Sequence, residues 1–584
     1  MNPGVNCKRL LSIGLLVGIV LSAGAAAQNS HDYPVKHDYN VLIPMRDGLK
    51  LSADIYRPDA EGRFPVVLSR TPYSNNSRGQ FETGTYFARH GYAYVTEDSR
   101  GRMDSEGVFV PLINEAQDGY DTMEWVATQA WSTGDIGTIG GSYGAWNQWL
   151  AASEGNLHLK AMVSVVAPPD PFLNVPYQNG AFLMAMADWM ILVDGRSMQD
   201  LKHQDFGRIY RHLPLSTLDE AAGRHSEWWR QWTRHDTYDD YWKQVSYQNK
   251  YDRIKVPVLH ITGWYDDDQI GTMMNYPAMV AHAGTAEARR WQSLLVGPWP
   301  HAVNSTSKLG DIDFGPTATI DIKATFLQWF DCQLKHSGCD QLATQAPVRI
   351  FVMGDNRWRD EQEWPLSRAT YTPYYFHSQG KANRVSGDGR LTTAKPEAEP
   401  PDHYAYDPDD PTPFILVPGA LQLGTTEDQR AVEARSDVLV FTSDPLPDSL
   451  EVTGPIRIKL WAASSAPDTD WTGKLMDVHP DGYAQRLLDG IIRARFRESY
   501  EHPTLLQPQK IYEYTIDLWA TSNVFLKGHQ IRVEIASASF PKFARNLNTG
   551  ESNEEGTRMQ VAQQTVYHDA AHPSHVLLPI IPRP

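Results

Sequence analysis

Cysteine is scarce in this sequence: three in 584 residues, too few for a fold stapled by disulfides. Positive charge is in short supply as well. Fifty-three Lys and Arg face 70 Asp and Glu, a formal net charge of −17. That balance argues against binding nucleic acid or an anionic lipid surface through bulk charge. Beyond the first thirty or so residues there is no run long and apolar enough to span a bilayer, and there are no internal repeats. What remains is ordinary globular composition, 41% hydrophobic and 21% charged. The chain is too long for one core, so two or three domains are expected.

The N-terminus reads as an address, not as part of the fold. Lys8 and Arg9 precede an apolar run from Leu10 to Leu21, and Ala25-Ala26-Ala27 stand before Gln28. This is the grammar of a secretory signal over 1–27, cleaved near Ala27–Gln28, and the run is short for a membrane anchor. The expectation is a secreted or periplasmic protein with no membrane attachment after cleavage. Cys7 would leave with the signal. Cys332 and Cys339, seven residues apart, would then form a short structural disulfide in an oxidising compartment. In the cytosol they would instead stay as thiols. Two cysteines without clustered His partners are too few ligands for a metal site.

Strand-like runs alternate with helical ones over 36–165: "FPVVLSRTPY", "YAYVTEDSRG", the helical "EAQDGYDTMEWVATQA", "IGTIGG" and the helical "AWNQWLAAS". Alternation of this kind predicts a parallel sheet of the α/β class. Over 166–250, "FLMAMADWMILV" and "EWWRQWTRHDTYDDYW" are dense in Met and Trp and read as a helical cap. Its aromatics are expected mainly in helix packing, with a lining role as the alternative. The α/β pattern returns over 251–347. From 348 to 584 short runs such as "VRIFVMG", "IRIKLWA" and "HQIRVEIAS" stand between turn clusters, and Tyr512, Tyr514, Ile516 and Leu518 alternate with polar residues. That is an all-β sandwich or jelly roll. The Pro- and acid-rich "AKPEAEPPDHYAYDPDDPTPF" within it reads as a long surface loop.

The chemistry is expected at "GGSYG". A serine hydroxyl becomes a nucleophile only with a base in reach and a third group orienting that base. Ser142, between Gly140 and Gly144 and between a strand-like run and a helix, fits the nucleophile elbow. The elbow fold asks for an acid and then a histidine, each just past a strand. "VPVLHITGWYDDD" delivers Asp266, Asp267 and Asp268, and "SLLVGPWPH" delivers His301. The backbone N–H of Tyr143, next after the nucleophile, is one oxyanion donor.

Eight ordered stretches carry a resemblance: "IPMRDGLKLSADIYRP", "RTPY", "EDSRGRMDSEG", "GSYGAWNQWLAA", "GWYD", "GPWPH", "VRIFVMGDNRW" and "DTDWTGKLMDVHPDG". Together they resemble the cocaine-esterase-like CocE/NonD hydrolases, relatives of α-amino-acid ester hydrolases, glutaryl-cephalosporin acylases and Xaa-Pro dipeptidyl-peptidases. The resemblance spans essentially the whole mature chain. It implies an α/β-hydrolase domain with a helical cap and a C-terminal jelly roll. It also implies Ser142 as nucleophile, His301 as base, Asp266 as the acid because it follows the aromatic pair of "GWYD", and the Tyr73 phenol of "RTPY" as second oxyanion donor.

Read from its residues alone, Tyr73 is as well a core tyrosine. The substrate is a small-molecule ester or amide, and no metal or organic cofactor is implied. Relatives often assemble, so a homo-oligomer is one expectation.

Specificity is open at this level. In the amino-acid ester hydrolases, carboxylates near the triad acid hold the substrate's ammonium group. Asp268 falls at one such position and Asp267 adjoins it, but Gln269 stands where a further acid is expected; Asp170 is another candidate. The readings are a broad ester or amide hydrolase, an α-amino-acid ester hydrolase or β-lactam acylase, an Xaa-Pro dipeptidyl-peptidase, and a non-catalytic carbohydrate binder.

Overall fold

The computed structural model describes residues 32–416 and 426–582. The expected leader at 1–27 lies outside them. Among the described residues, ten strands form the first sheet. They are β1 (Val35–Pro44), β2 (Lys50–Pro58), β3 (Phe64–Thr71), β4 (Ala93–Asp98), β5 (Ser132–Gly141), β6 (Leu159–Val165), β7 (Val258–Tyr265), β8 (Gln292–Pro300), β9 (Val348–Val352) and β10 (Arg357–Glu361). Their order in space is β1-β2-β4-β3-β5-β6-β7-β8-β9-β10. From β4 to β9 every pairing is parallel, whereas β1, β2 and β10 join antiparallel at the edges.

Every residue of β3 and β7 is buried, as expected where helices cover both faces of a parallel sheet. Helices Arg78–Arg89 and Ile322–Lys335 pack on one face through Phe87, Trp329 and Phe330. Glu115–Ala127 and Tyr143–Ser153 cover the other through Met123, Trp146 and Trp149. Between β6 and β7 the cap contributes helices Ala185–Val193 and Glu227–Arg234, with Trp189, Trp228, Trp229 and Trp232 all buried.

The second sheet system is all-β. Its longest strand, Leu450–Ser464, pairs with Tyr512–Phe525, His575–Ile581 and Ala562–Tyr567. The alternation read from the sequence is visible in its core: Tyr514, Ile516, Leu518, Ile531, Val533 and Ile535 are all buried.

Two sequence expectations need correction. "VRIFVMG" does not open the sandwich at 348. Its strand β9 runs parallel to β8, with Leu294 opposite Val348, and a short buried apolar strand serves either sheet type equally well. The "AKPEAEPPDHYAYDPDDPTPF" segment is not all loop: Asp402–Tyr406 pairs with Ala562–Tyr567. Asp402, Tyr404 and Tyr406 point inward, a period-2 signal hidden among the prolines on either side.

Candidate active site

Strand β5 ends at Gly141 and helix Tyr143–Ser153 begins with a single residue between them. Ser142 makes the whole turn, at φ 57° and ψ −121°. For a non-glycine residue that conformation costs ~1–3 kcal/mol, and the surroundings hold it. Ser142 N–H donates to Val165 O at 3.0 Å, and its carbonyl accepts from Ala145 and Trp146. A Cβ on Gly140 would stand 2.5 Å from the Gly144 carbonyl oxygen. Only glycine lets the strand and helix approach so closely.

Asp266 and His301 emerge side by side because β7 and β8 are parallel neighbours, with Tyr265 opposite Pro300. The next residue on each chain is Asp266 and His301. Asp266 Oδ1 lies 2.8 Å from His301 Nδ1. The same carboxylate accepts the Thr262 hydroxyl at 2.5 Å and the Asp268 N–H at 3.0 Å, so its orientation is over-determined. Asp268 takes a different place, its Oδ2 3.8 Å from His301 Nδ1 and its Oδ1 accepting the Asn174 amide at 2.8 Å.

Electrostatics follow from this crowding. Burial alone would lower the His301 pKa. The hydrogen bond to Asp266 and the charges of Asp266, Asp268 and Asp267 outweigh burial and push it up to about 10. Burial, reinforced by Asp266 and Asp267, pushes the Asp268 carboxyl up to about 8 against the opposing pull of His301. The site therefore favours an imidazolium, the form a histidine base takes after accepting a proton.

Tyr73 is partly buried and lines the same cavity as Ser142. Burial pushes its phenol up to about 12. Trp189 Nε1 donates to Tyr73 Oη at 2.9 Å. The Tyr143 side chain points away from the reaction: its hydroxyl donates to Glu115 Oε1 at 2.8 Å and accepts from Leu112 N–H at 2.9 Å. Glu115 in turn meets Arg70 at 2.6 Å, and Arg70 meets Glu97 at 2.6 Å. That buried chain fixes the residue whose backbone N–H, at the first helical position, has no acceptor within its helix.

Ser142, His301, Tyr73, Tyr143, Asp267 and Asp268 all line one cavity of about 290 Å³. Its remaining walls are largely apolar, including Leu112, Trp146, Val175, Leu183, Trp189 and Trp232. The cap aromatics thus do both jobs: Trp189 and Trp232 face the cavity, while Trp229 and Trp242 are packed in the core. Asp170 is not among the cavity's lining residues and accepts instead from Tyr247 and Gln248 N–H. Gln269 exchanges two 2.9 Å hydrogen bonds with the Ala520 backbone of the all-β domain.

Cys332 and Cys339 form a disulfide, Cα atoms 4.7 Å apart, remote from this cavity's lining. Among the described residues, Asp477, His479 and His529 lie close enough to hold a cation. Asp477 there accepts from His529 Nδ1 at 2.7 Å and from the Asn523 amide at 3.2 Å; the cluster belongs to the all-β domain and has no part at Ser142. Thr262, Asn174, Glu115 and Trp189 were not singled out from the sequence. Each acts through a partner 4 to 116 residues away, and no local spacing reports that.

Residues 47–303 match the X-Pro dipeptidyl-peptidase (S15 family) model, and 341–577 match the X-Pro dipeptidyl-peptidase C-terminal non-catalytic domain. A cocaine esterase from Rhodococcus sp. (strain MB1 Bresler) is 39% identical over 575 residues, 93% of this chain and 98% of that protein. Among solved structures, an α-amino acid ester hydrolase superposes with TM-score 0.82 at 28% identity, covering 97% of this chain and 100% of that one. An aminopeptidase from a marine sediment Thaumarchaeota archaeon gives 0.83 at 26% identity, covering 95% and 97%. The chain belongs to the CocE/NonD family and is a serine hydrolase.

Proposed function

We propose that this enzyme cleaves esters with an apolar, aromatic-sized acyl group through a covalent acyl-serine. The observation that carries the reading is one cavity. It holds a serine at φ 57°, the Asp266-paired His301 and the Tyr73 phenol, within largely apolar walls. His301 Nδ1 is committed to Asp266, which leaves Nε2 to take the Ser142 proton as Oγ attacks the carbonyl carbon. The oxygen that becomes negative is met by the Tyr73 O–H and the Tyr143 backbone N–H. His301 then passes its proton to the leaving alkoxide as the C–O bond breaks. Water repeats the attack, giving a proton to His301, which returns it to Ser142 Oγ as the acyl C–Oγ bond breaks and the acid is released.

A second reading follows from Asp267 and Asp268 on the cavity wall: an ester or amide whose acyl part carries an ammonium group. It is the weaker, because the Asp268 carboxyl is held by Asn174 and its ionisation is pushed up to about 8. We also propose that the enzyme is exported and loses residues 1–27, a reading supported by the basic, apolar and Ala-rich stretches and by the paired Cys332 and Cys339.

The test is turnover of a p-nitrophenyl ester, phenylglycine methyl ester, its des-amino counterpart and an Xaa-Pro anilide. Preference for the des-amino ester is expected. A strong preference for the free amine would install the second reading, and turnover of the anilide alone would make it a dipeptidyl-peptidase. A protein inert to all four and to a serine-directed phosphonate would not be this enzyme.

A further inference from the structure

A phenol has a single proton to give, and Tyr73 has the Trp189 indole within hydrogen-bond reach and Ser142 beside it on the lining of the same cavity. An indole N–H can only donate. The 2.9 Å contact from Trp189 Nε1 therefore makes Tyr73 Oη the acceptor on that side. Its own proton is left for the Ser142 side, where the oxyanion develops.

Trp189 is itself held in place. Its ring stacks on Trp232 (centroids 6.0 Å apart, planes 7° apart) and on Tyr143 (5.8 Å, 24°), and meets Trp228 edge-on at 5.4 Å. It belongs to the cap helix Ala185–Val193, 116 residues along the chain from Tyr73. A second tie joins the same two elements. Arg102, fully buried, donates through Nε to the Pro72 carbonyl at 2.8 Å, directly before Tyr73. Through Nη1 it donates to Val193 O at 2.5 Å and to Gly195 O, where the cap helix ends. A cation at a helix C-terminus also complements the helix dipole.

We propose that Trp189 is a positioning residue of the oxyanion hole. From the cap it fixes the direction of the Tyr73 O–H, and Arg102 bolts the cap helix to the Tyr73 loop, so the hole is complete only with the cap seated. This rests on the reading of Tyr73 as an oxyanion donor.

The experiment is a double-mutant cycle on p-nitrophenyl ester hydrolysis, with folding checked by near-UV circular dichroism. Tyr73→Phe is expected to lower kcat by ~100-fold or more, as loss of an oxyanion donor does. Trp189→Phe keeps the ring but removes the N–H. It is expected to lower kcat by ~10-fold, the weight of one hydrogen bond, with KM moved far less.

In the Tyr73→Phe background the same change should cost less than ~2-fold, because nothing is left to orient. Arg102→Gln, which leaves the indole in place, should show the same collapse of effect. An equal loss in both backgrounds would reduce Trp189 to cavity packing and overturn the proposal, as would wild-type kcat in Trp189→Phe. Full activity in Tyr73→Phe would instead remove the oxyanion reading beneath it.

Discussion

The two halves of the molecule both bury charge, and they do so to different ends. In the hydrolase domain two sets adjoin Ser142: Arg70, Glu97 and Glu115 under the elbow, and Asp266, Asp268 and His301 at its mouth. The all-β domain buries at least as many, with Arg493 on Asp470, Lys542 on Asp489, Lys474 on Glu534 and Arg532 on Glu433. None of these lines the cavity of Ser142. Buried, perturbed charge is therefore a poor locator of chemistry by itself. What separates the two regions is a serine held in strained backbone on the wall of a cavity, the nucleophile we propose.

That contrast can be broken by mutation. Ser142→Ala should lower kcat by ~10⁴-fold or more while leaving thermal unfolding near the wild type; steady-state assay and calorimetry on one preparation check both. Arg493→Met should do the reverse. It strands Asp470 in the core and should destabilise by ~3–5 kcal/mol, read by urea unfolding, with kcat per folded molecule unchanged. An equal loss of kcat there would mean the all-β charges reach the site after all.

Replacing both Cys332 and Cys339 by Ala removes a short closed loop and should cost ~2 kcal/mol, measured in the same way against the oxidised enzyme. The smallest effect is expected from Asp268→Asn. His301 must be neutral to accept the serine proton, so activity rises with pH through its titration, above the ordinary histidine range. Deleting a neighbouring carboxylate makes the imidazolium less favoured, so the acid limb of kcat/KM against pH should move down by up to about one unit. An upward shift would mean that Asp268 does not act on His301 as a charge.

The same contrast explains what could be read in advance. The elbow was legible because Gly140, Ser142 and Gly144 are neighbours in sequence, and so are the strand and helix they join. The choice of Asp266 from three adjacent aspartates was not legible from composition. It depends on the Thr262 hydroxyl and on the pairing that sets Tyr265 opposite Pro300, and only the resemblance pointed to it. The contact between Trp189 and Tyr73 lies beyond any spacing argument, since the cap folds back across more than a hundred residues. Strand β9 was placed in the wrong sheet because a short apolar strand does not announce its neighbours. Strand Asp402–Tyr406 went unseen because prolines on either side outweighed a five-residue alternation.

The reciprocal amide pairing of Gln269 with Ala520 has a consequence for how this enzyme can be cut or recombined. Gln269 directly follows the turn that carries Asp266, Asp267 and Asp268, and it is fully buried. Its side chain closes a two-bond ring on the backbone of a strand from the other domain. Deleting the all-β domain would take the Ala520 N–H from the Gln269 amide oxygen and leave its nitrogen only the Trp264 and Gly263 carbonyls, right beside the turn that carries Asp266, and an unpaired buried polar atom is costly. The "non-catalytic" half is thus a wall of the catalytic half. Truncation at the domain boundary would therefore disturb the turn that carries Asp266, and grafting another sandwich would have to rebuild the Ala520 edge.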